Sequence, residues 1–509
     1  MSTILYTGGR AISTQNRCCR CKVGKIVAHK KMPNNNNLVY KQRNTGKTAE
    51  AKALSKITTD PLPLMQSLLN LYTSFSKETH GNKLLIILFF ILPWNLGKHL
   101  EQVFSFVGSV PIPYLVPTVF LQDVLVAAVV LVVSIASLRK ACPLIKGGTT
   151  VARLFFLFLL AVFLSTFFAG RFYPSVYSFT RLLLYFLFFI AVMNLFRSPS
   201  VRRWFAVSLA VNIFLSSALG FLQFYKQASV FNNYLFFGEQ PYSIYTPYIA
   251  KEGFGGVVKI PPYATFLHPN ILAGFLVVSL TLLLGYLVHL RRSRWLISIA
   301  CVLLCAFLLF LTKSYTAWAA FALGFLLLFF IRLGQKARLL PLALTVLTLM
   351  TVVAGLLFPL YSSSLTILLP GDSIASTLSV ERRSALLQAS YRMFIQKPFF
   401  GWGINSFIYS FEPFYNRPDT VRFLQPVHNV YALIAVEIGV FGAMFFIGLT
   451  AASIYCVTRN GGWFYGVALV QIVFLSSFDH YFFTIPQTQL LFILTLMMGL
   501  TYTKDTNCP

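Results

Sequence analysis

Long apolar runs separated by short polar segments dominate this chain from residue 84 onward. Many of these runs hold about 20 residues, the length that an α-helix needs to cross a hydrocarbon core of ~30 Å. The pattern predicts about twelve membrane-spanning helices, near residues 84–97, 119–138, 154–169, 180–196, 204–223, 269–289, 295–312, 315–333, 340–361, 429–456, 462–478 and 486–503. Pro93 interrupts the first of these runs.

The composition changes this picture little. Of the 509 residues, 57% are hydrophobic and 11% are charged, whereas about a quarter of the residues of a soluble domain are charged. No polar segment is large enough to carry a core of its own, so residues 84–504 should form one bundle. The predicted fold class is an all-α integral membrane protein with a large structured outer-face loop, 362–428, between helices nine and ten.

Basic residues in the short loops predict the orientation, because short cytoplasmic loops retain Lys and Arg. They follow the second, fourth, sixth and eighth spans, at Arg139, Lys140, Lys146 and Arg153, at Arg197, Arg202 and Arg203, at Arg291, Arg292 and Arg294, and at Arg332, Lys336 and Arg338. Both termini are therefore expected in the cytoplasm, with the loops 224–268 and 362–428 on the opposite face.

Residues 1–83 form a polar segment with fourteen Lys or Arg and three Asp or Glu. We expect a disordered cytoplasmic leader that anionic lipid headgroups attract. Within it, residues 61–76 have the pattern of an interfacial amphipathic helix. The formal charge of +28 thus indicates a membrane surface and no nucleic-acid partner.

The segment from Arg382 to Gly442 carries the most informative polar pattern. Arg382 and Arg383 come first, and His428 stands at the start of the tenth span. A guanidinium offers a bidentate fork for phosphate oxygens, and an imidazole can take a proton from a hydroxyl group at neutral pH. This pattern favours chemistry on a charged, lipid-linked substrate, although His428 could instead only cap or order the loop.

Carboxylates are scattered through the predicted outer loops, and they form no Asp-x-Asp motif. Magnesium prefers carboxylate oxygens as ligands, so cationic side chains are the expected partners of a diphosphate. We expect neither a metal ion nor a cofactor.

Several motifs occur in the order of a known family. They are Pro398-Phe399-Phe400-Gly401-Trp402-Gly403, His428-Asn429-Val430-Tyr431 with Glu437-Ile438-Gly439-Val440-Phe441-Gly442, Thr265-Phe266-Leu267-His268-Pro269-Asn270, Leu311-Thr312-Lys313-Ser314-Tyr315, and Phe478-Asp479-His480-Tyr481. With these motifs the chain resembles the bacterial O-antigen ligase and O-antigen polymerase family.

The resemblance implies a GT-C-like glycosyltransferase of the cell inner membrane. Such an enzyme transfers or polymerises glycan from a polyprenyl diphosphate-linked donor onto an acceptor hydroxyl at the outer face, without a metal ion. Members include ligases onto lipid A core, repeat-unit polymerases and protein O-oligosaccharyltransferases, and the resemblance does not choose among them. The implied partners are this donor, a hydroxyl-bearing lipid, glycan or protein, and membrane lipids.

His428 is the predicted general base, and the predicted substrate-binding residues are Arg382, Arg383, Lys313, Arg181, Asn429, His268 and Asn270. In the family's Thr-x-Ser-Arg turn an arginine follows the serine, but Tyr315 stands there in this chain. Lys313 or an arginine of a neighbouring loop, Arg181 or Arg171, would then make the second phosphate contact. His268 and Asn270 also fit the start signal of a helix.

A second class of function is a flippase or transporter of the same lipid-linked glycans. A flippase should line a path across the membrane with polar and charged side chains, whereas the predicted spans contain few charges. A purely structural scaffold would leave the arrangement from Arg382 to His428 unexplained.

Overall fold

The structure is a computed structural model that describes residues 63–107, 110–137, 146–247, 249–288, 295–333, 340–362, 374–415 and 424–502. The predicted leader up to residue 62, parts of the predicted outer loop (363–373 and 416–423), and the loop residues Arg139, Lys140, Arg291, Arg292, Arg294, Lys336 and Arg338 lie outside the described residues. The chain divides into two units, Met1–Thr73 and Ser74–Pro509, and the helical bundle belongs to the second.

Helices make up most of the described chain. Their bounds are α1 Pro63–Ser76, α2 His80–Ile91, α3 Leu121–Ser137, α4 Lys146–Phe167, α5 Phe172–Val192, α6 Pro199–Lys226, α7 Pro269–Leu287, α8 Trp295–Thr312, α9 Tyr315–Leu333, α10 Leu340–Leu356, α11 Ile374–Gln396, α12 Phe407–Ser410, α13 Val430–Arg459, α14 Trp463–Phe478, α15 Tyr481–Thr484 and α16 Pro486–Leu500. The helical character predicted for residues 61–76 and 381–396 is confirmed by α1 and α11.

Three small antiparallel strand pairs lie in the segments between α2 and α3 and between α6 and α7. They join β1 (Gly97–His99) to β4 (Thr118–Phe120), β2 (Phe106–Val107) to β3 (Val110–Pro111), and β5 (Glu252–Phe254) to β6 (Val257–Lys259). In the first pair Lys98 lies opposite Val119, and in the third Gly253 lies opposite Val258.

Each of the twelve predicted spans coincides with a helix, α2 to α10, α13, α14 or α16. The first span ends six residues earlier than predicted, because α2 ends at Ile91 and Pro93 disfavours a helical conformation of the residue before it. The third and fourth spans each begin eight residues earlier than predicted. Five helices of the described chain are long and apolar enough to cross a membrane, by length and composition, at Gly148–Phe167, Phe172–Arg197, Pro199–Lys226, Pro269–Leu287 and Val430–Arg459. An all-α membrane protein is thus supported, and the number of crossings stays a prediction.

Helices α13 and α14 lie at the centre of the bundle. Helix α13 packs against α4, α10 and α14, and α14 also packs against α7 and α9. Almost every side chain of α14 and α16 is buried, as expected of helices that are apolar on all sides. Residues 460–462 connect α13 to α14. The start of α13 lies beside the end of α14, where Asn429 Nδ2 donates to the Ser477 carbonyl oxygen.

Candidate functional site

Helix α13 is broken near its start, and the loop that follows α11 fills the break. Gly439 has a φ of 84° inside α13, a conformation that favours glycine. Three backbone hydrogen bonds dock the loop there: Trp402 N–H to Val436 O (2.9 Å), Gly403 N–H to Glu437 O (2.8 Å) and Val440 N–H to Pro398 O (2.8 Å). A Cβ on Gly401 would collide with the Glu437 backbone. The predicted turn on Gly401 and Gly403, with φ of 71° and 94°, is therefore confirmed and has a steric cause.

The buried Glu437 side chain reinforces this docking. Its Oε1 accepts a hydrogen bond from the Phe407 N–H (3.0 Å), and the Asn405 and Ser406 backbones also bond to this carboxylate. These groups stand at the start of α12, where backbone N–H groups lack partners within the helix. Glu437 thus connects the loop that follows α11 to α13.

Asn429 fixes the start of α13 beside α14. Its Oδ1 accepts a hydrogen bond from the Ala432 N–H (2.9 Å), and its Nδ2 donates to the Ser477 carbonyl oxygen (2.9 Å). An N-cap asparagine satisfies a backbone N–H that the helix leaves without a partner. Both polar atoms of the Asn429 amide are thus used within the protein, which favours capping over the predicted substrate contact.

The Asp479 carboxylate is the centre of the candidate site. His428 Nδ1 lies 3.2 Å from Oδ1, and Arg383 Nη2 lies 4.0 Å from Oδ2. The backbone N–H of His480 also donates to Oδ1 (2.8 Å), and Arg383 Nη1 donates to the Phe478 carbonyl oxygen (3.4 Å). An imidazole from the start of α13 and a guanidinium from α11 therefore meet at one carboxylate just after α14.

The Arg383 charge and the hydrogen-bond donors around Asp479 keep it ionised. Burial alone would raise the pKa of Asp479, but His428, His480 and Arg383 hold that pKa below its ordinary value. A carboxylate in this state is a hydrogen-bond acceptor only. Asp479 therefore orients His428 so that Nδ1 carries a proton, which directs the other ring nitrogen, Nε2, to any substrate.

Two further imidazoles at this site are neutral at pH 7. Burial lowers the pKa of His480 to about 3 and that of His268 to about 4, with Asp479 opposing the shift and His428 and Arg383 adding to it. The rings of His480 and His428 lie 5.2 Å apart between centroids, and His480 Nδ1 lies 2.8 Å from the Thr484 hydroxyl. Both imidazoles are therefore uncharged polar groups of the candidate site at pH 7.

His268 and Asn270 start helix α7, as the alternative interpretation of the sequence expects. His268 is the N-cap residue, and its Nδ1 accepts a hydrogen bond from the Asn270 N–H (3.2 Å). The Asp479 carboxylate acts on the pKa of His268, so His268 belongs to the surroundings of Asp479. Its observed role there is to cap helix α7. Substrate binding by His268 and Asn270 stays a prediction.

Arg382 and Arg383 occupy successive positions of α11, and both are half-buried. Successive helical residues point about 100° apart, so the two guanidinium groups cannot both face Asp479. Arg383 faces it.

Lys313 and Arg181 have other partners in the structure. Lys313 has a φ of 53°, and its Nζ lies over the rings of Phe254 and Phe310, 4.9 and 5.9 Å from their centroids. Arg181 Nη2 lies 3.1 Å from Asp123 Oδ2. Their predicted contact with a second phosphate therefore stays a prediction, and for Arg181 it would require breaking an ion pair.

The cluster also has the spacing of a possible metal site, since ligand atoms of His428, Asp479 and His480 all lie within 4.8 Å of one another. Its charges argue against a cation there. Arg383 already lies at the carboxylate, and the Nδ1 atoms of the two imidazoles face Asp479 and Thr484. We interpret the cluster as a site for proton transfer and anion binding.

Sequence reasoning alone does not assign Asp479 and His480 to the site. They stand 51 and 52 residues after His428, and only the folding of α13 against α14 unites them with it. The available signal was an acid and an imidazole directly after an apolar run. Tyr114, whose ring packs edge-on against His480 at 5.3 Å between centroids, has no comparable signal, and the same holds for Gln425, a neighbour of His428.

Comparison with known proteins supports the interpretation of these motifs. Residues 300–447 match the family described as O-antigen ligase, and this range includes Arg382, Arg383 and His428. A search of the curated proteins gave no match. The matched range and the apolar helices indicate a bacterial membrane protein. The resemblance predicted from the motifs is thus confirmed over residues 300–447, where the chain is similar to the O-antigen ligase family.

Proposed function

We propose that the chain transfers or polymerises glycan from a polyprenyl diphosphate-linked donor onto an acceptor hydroxyl at the outer face of the cytoplasmic membrane. The family match supports glycan transfer of the O-antigen ligase or polymerase type in general. The observation that carries the finer proposal is the meeting of the His428 imidazole and the Arg383 guanidinium at the Asp479 carboxylate.

In this proposal His428 is the general base. The acceptor oxygen attacks the anomeric carbon of the donor sugar, and Nε2 of His428 takes the hydroxyl proton. The bond between that carbon and the diphosphate oxygen breaks, and its electron pair leaves with the diphosphate. Asp479 stabilises the imidazolium that forms, as a carboxylate does when it orients a catalytic histidine.

Arg383 supplies positive charge for the leaving diphosphate, and Arg382 is its expected partner. Arg383 lies at 4.0 Å from Asp479, which is longer than a close charge-assisted hydrogen bond. It can therefore turn towards an incoming phosphate without losing a strong bond. A guanidinium fits phosphate oxygens bidentately, so no metal ion is needed for charge neutralisation.

Within the same family, protein O-oligosaccharyltransferase activity remains an alternative to ligation onto lipid or to polymerisation. A flippase of lipid-linked glycans is the alternative from another class. It would not require an oriented imidazole, so the bond between His428 and Asp479 favours the transferase.

The proposal is tested with the full chain in proteoliposomes that contain a defined polyprenyl diphosphate-linked oligosaccharide. We expect glycan transfer by the wild type and loss of transfer in His428→Ala, with donor binding retained. The matched control is His99→Ala, since His99 is an exposed imidazole bonded to Thr118. Full transfer by His428→Ala would refute the base assignment, and lipid translocation without transfer by the wild type would favour a flippase. Laddered glycan, modified lipid or modified protein distinguishes the three transferase activities.

A further inference from the structure

Gln425 covers the ring nitrogen that the proposed reaction needs. Its Oε1 lies 3.2 Å from His428 Nε2, while His428 Nδ1 faces Asp479 at 3.2 Å. Both nitrogens of the imidazole are therefore engaged within the protein. An acceptor hydroxyl has no free nitrogen to approach.

Nε2 of His428 is engaged whichever way the Gln425 carboxamide is turned. With its oxygen towards Nε2, the imidazole carries protons on both nitrogens and cannot accept another. With its amide group towards Nε2, the lone pair of Nε2 receives an N–H of Gln425. In both orientations His428 has no lone pair free to accept a proton from a substrate hydroxyl.

We infer that Gln425 occupies the position of the acceptor hydroxyl and that the acceptor must displace it to reach His428. This inference rests on the proposed function. The Gln425 carboxamide, whose Oε1 lies 3.2 Å from Nε2, marks a subsite for the acceptor hydroxyl. Gln425 is a positioning residue that shields the base until an acceptor with a well-placed hydroxyl competes for the same nitrogen.

The local backbone makes displacement a side-chain movement. Pro426 follows Gln425 and restricts it to extended backbone conformations. The next residue, Val427, is fully buried, and its carbonyl oxygen accepts the Asn429 N–H (2.8 Å). Gln425 itself is half-buried. Its side chain can therefore swing away from His428 while the chain on which it stands remains fixed.

Carbethoxylation by diethylpyrocarbonate tests this shielding without any transfer assay, because the reagent attacks an unprotonated imidazole nitrogen that it can reach. The intact protein is treated in nanodiscs at pH 7.5, and the rate at each histidine is followed by mass spectrometry. We expect Gln425→Ala to raise the rate at His428 by about two- to tenfold, the size of one net hydrogen bond. The exposed His80 and His99 serve as internal references.

An unchanged rate at His428 in Gln425→Ala would overturn the inference. A rise that also appears at the half-buried His268 and the buried His480 would overturn it too, because it would show that the cluster had opened as a whole. The conservative variant Gln425→Asn, whose amide is one carbon shorter, should react at a rate between the two.

Kinetics then test the acceptor subsite. Gln425→Ala should lower the KM for the acceptor and leave the KM for the lipid-linked donor unchanged, because only the acceptor competes with Gln425. Equal acceptor KM values in the two proteins would overturn the subsite assignment. If the wild type transfers no glycan, the proposed function fails while the carbethoxylation result still stands, so the two failures are distinguishable.

Discussion

Two carboxylates of this bundle, the half-buried Asp123 and the buried Asp479, meet arginine side chains in different ways. Arg181 lies 3.1 Å from Asp123 Oδ2, and the Tyr185 hydroxyl donates to Asp123 Oδ1 (2.7 Å). Arg383 lies 4.0 Å from Asp479 Oδ2, and an imidazole occupies the other oxygen of that carboxylate.

The Asp123 cluster is closed. Besides Asp123, Arg181 bonds the Thr118 carbonyl oxygen (2.6 Å) and the Tyr177 hydroxyl, and its guanidinium lies over the Phe120 ring at 5.1 Å. One positive and one negative charge balance each other, and Nε and Nη2 of Arg181 are hydrogen-bonded. Such a cluster holds α3 against α5.

The Asp479 cluster is open. Its arginine makes a long contact, its histidine is 15% exposed, and the Nε2 of that histidine meets Gln425. Because the contact between Arg383 and Asp479 is long, Arg383 loses little interaction energy when it turns to a charged group of a substrate. From this comparison we propose that the Asp123 cluster is structural and that the Asp479 cluster is functional.

Asp479→Asn should have the largest effect on transfer. An amide cannot hold the His428 proton on Nδ1 with the same strength, so we expect a fall of about 10² to 10⁴ in kcat, the usual contribution of general-base help. Rates are measured with a lipid-linked oligosaccharide, and thermal unfolding shows whether the variant is folded. A folded variant with more than half of the wild-type kcat would contradict the functional assignment of the cluster.

Asp123→Asn should instead lower the stability of the protein without lowering its transfer rate. It leaves the buried Arg181 without its counter-charge, which costs on the order of 3 to 5 kcal/mol of stability. The transfer rate of the remaining folded protein should not change. The double variant Asp123→Asn, Arg181→Met removes both charges and should recover much of the lost stability, as measured by unfolding in detergent. A large loss of kcat in the stable double variant would move Arg181 into the substrate site.

Arg383→Ala should weaken donor binding. One hydrogen bond to a charged group contributes about 1.5 to 3 kcal/mol, so we expect the donor KM to rise about 10- to 150-fold. The matched control is Arg392→Ala, an exposed arginine of the same helix that donates to the Phe414 carbonyl oxygen (3.3 Å). If the donor KM is unchanged in Arg383→Ala and rises in Lys313→Ala, the phosphate contact belongs to Lys313.

Acidification should destabilise the folded protein through His480 and His268. Their pKa values of about 3 and about 4 in the folded state lie below the ordinary value near 6.5, so the unfolded chain binds more protons between these limits. Stability should fall as the pH is lowered from about 6.5 to about 4. His480→Gln and His268→Gln should each flatten this slope in thermal unfolding, whereas His99→Gln should not.

Removal of divalent cations should have the smallest effect. Arg383 stands where a cation would otherwise balance Asp479, so we expect the transfer rate to be the same with and without EDTA. A rate that falls with EDTA and returns with one added metal would reassign His428, Asp479 and His480 as metal ligands.

The sequence predicted much of the fold, because an apolar run of about 20 residues by itself indicates a membrane-spanning helix. All twelve predicted spans lie on helices, and Gly401 and Gly403 mark a turn that only small side chains permit. The strand pairs between α2 and α3 were not predicted, because three-residue strands show too little alternation between apolar and polar positions to be recognised.

The site was predicted in part. Arg383 stands on a predicted helical segment, His428 directly precedes one, and their chemistry identifies them. Asp479 and Gln425 are different, since a carboxylate after an apolar run and a glutamine before a proline are common. Their roles follow only from the packing of α13 against α14, which no local pattern encodes.

The most direct test of the central claim is a double-mutant cycle on His428 and Asp479. If the imidazole and the carboxylate act as one unit, His428→Ala combined with Asp479→Asn should have the same kcat as His428→Ala alone. If the two substitutions instead lower kcat by the product of their separate effects, the residues act independently, and the account of this site is wrong.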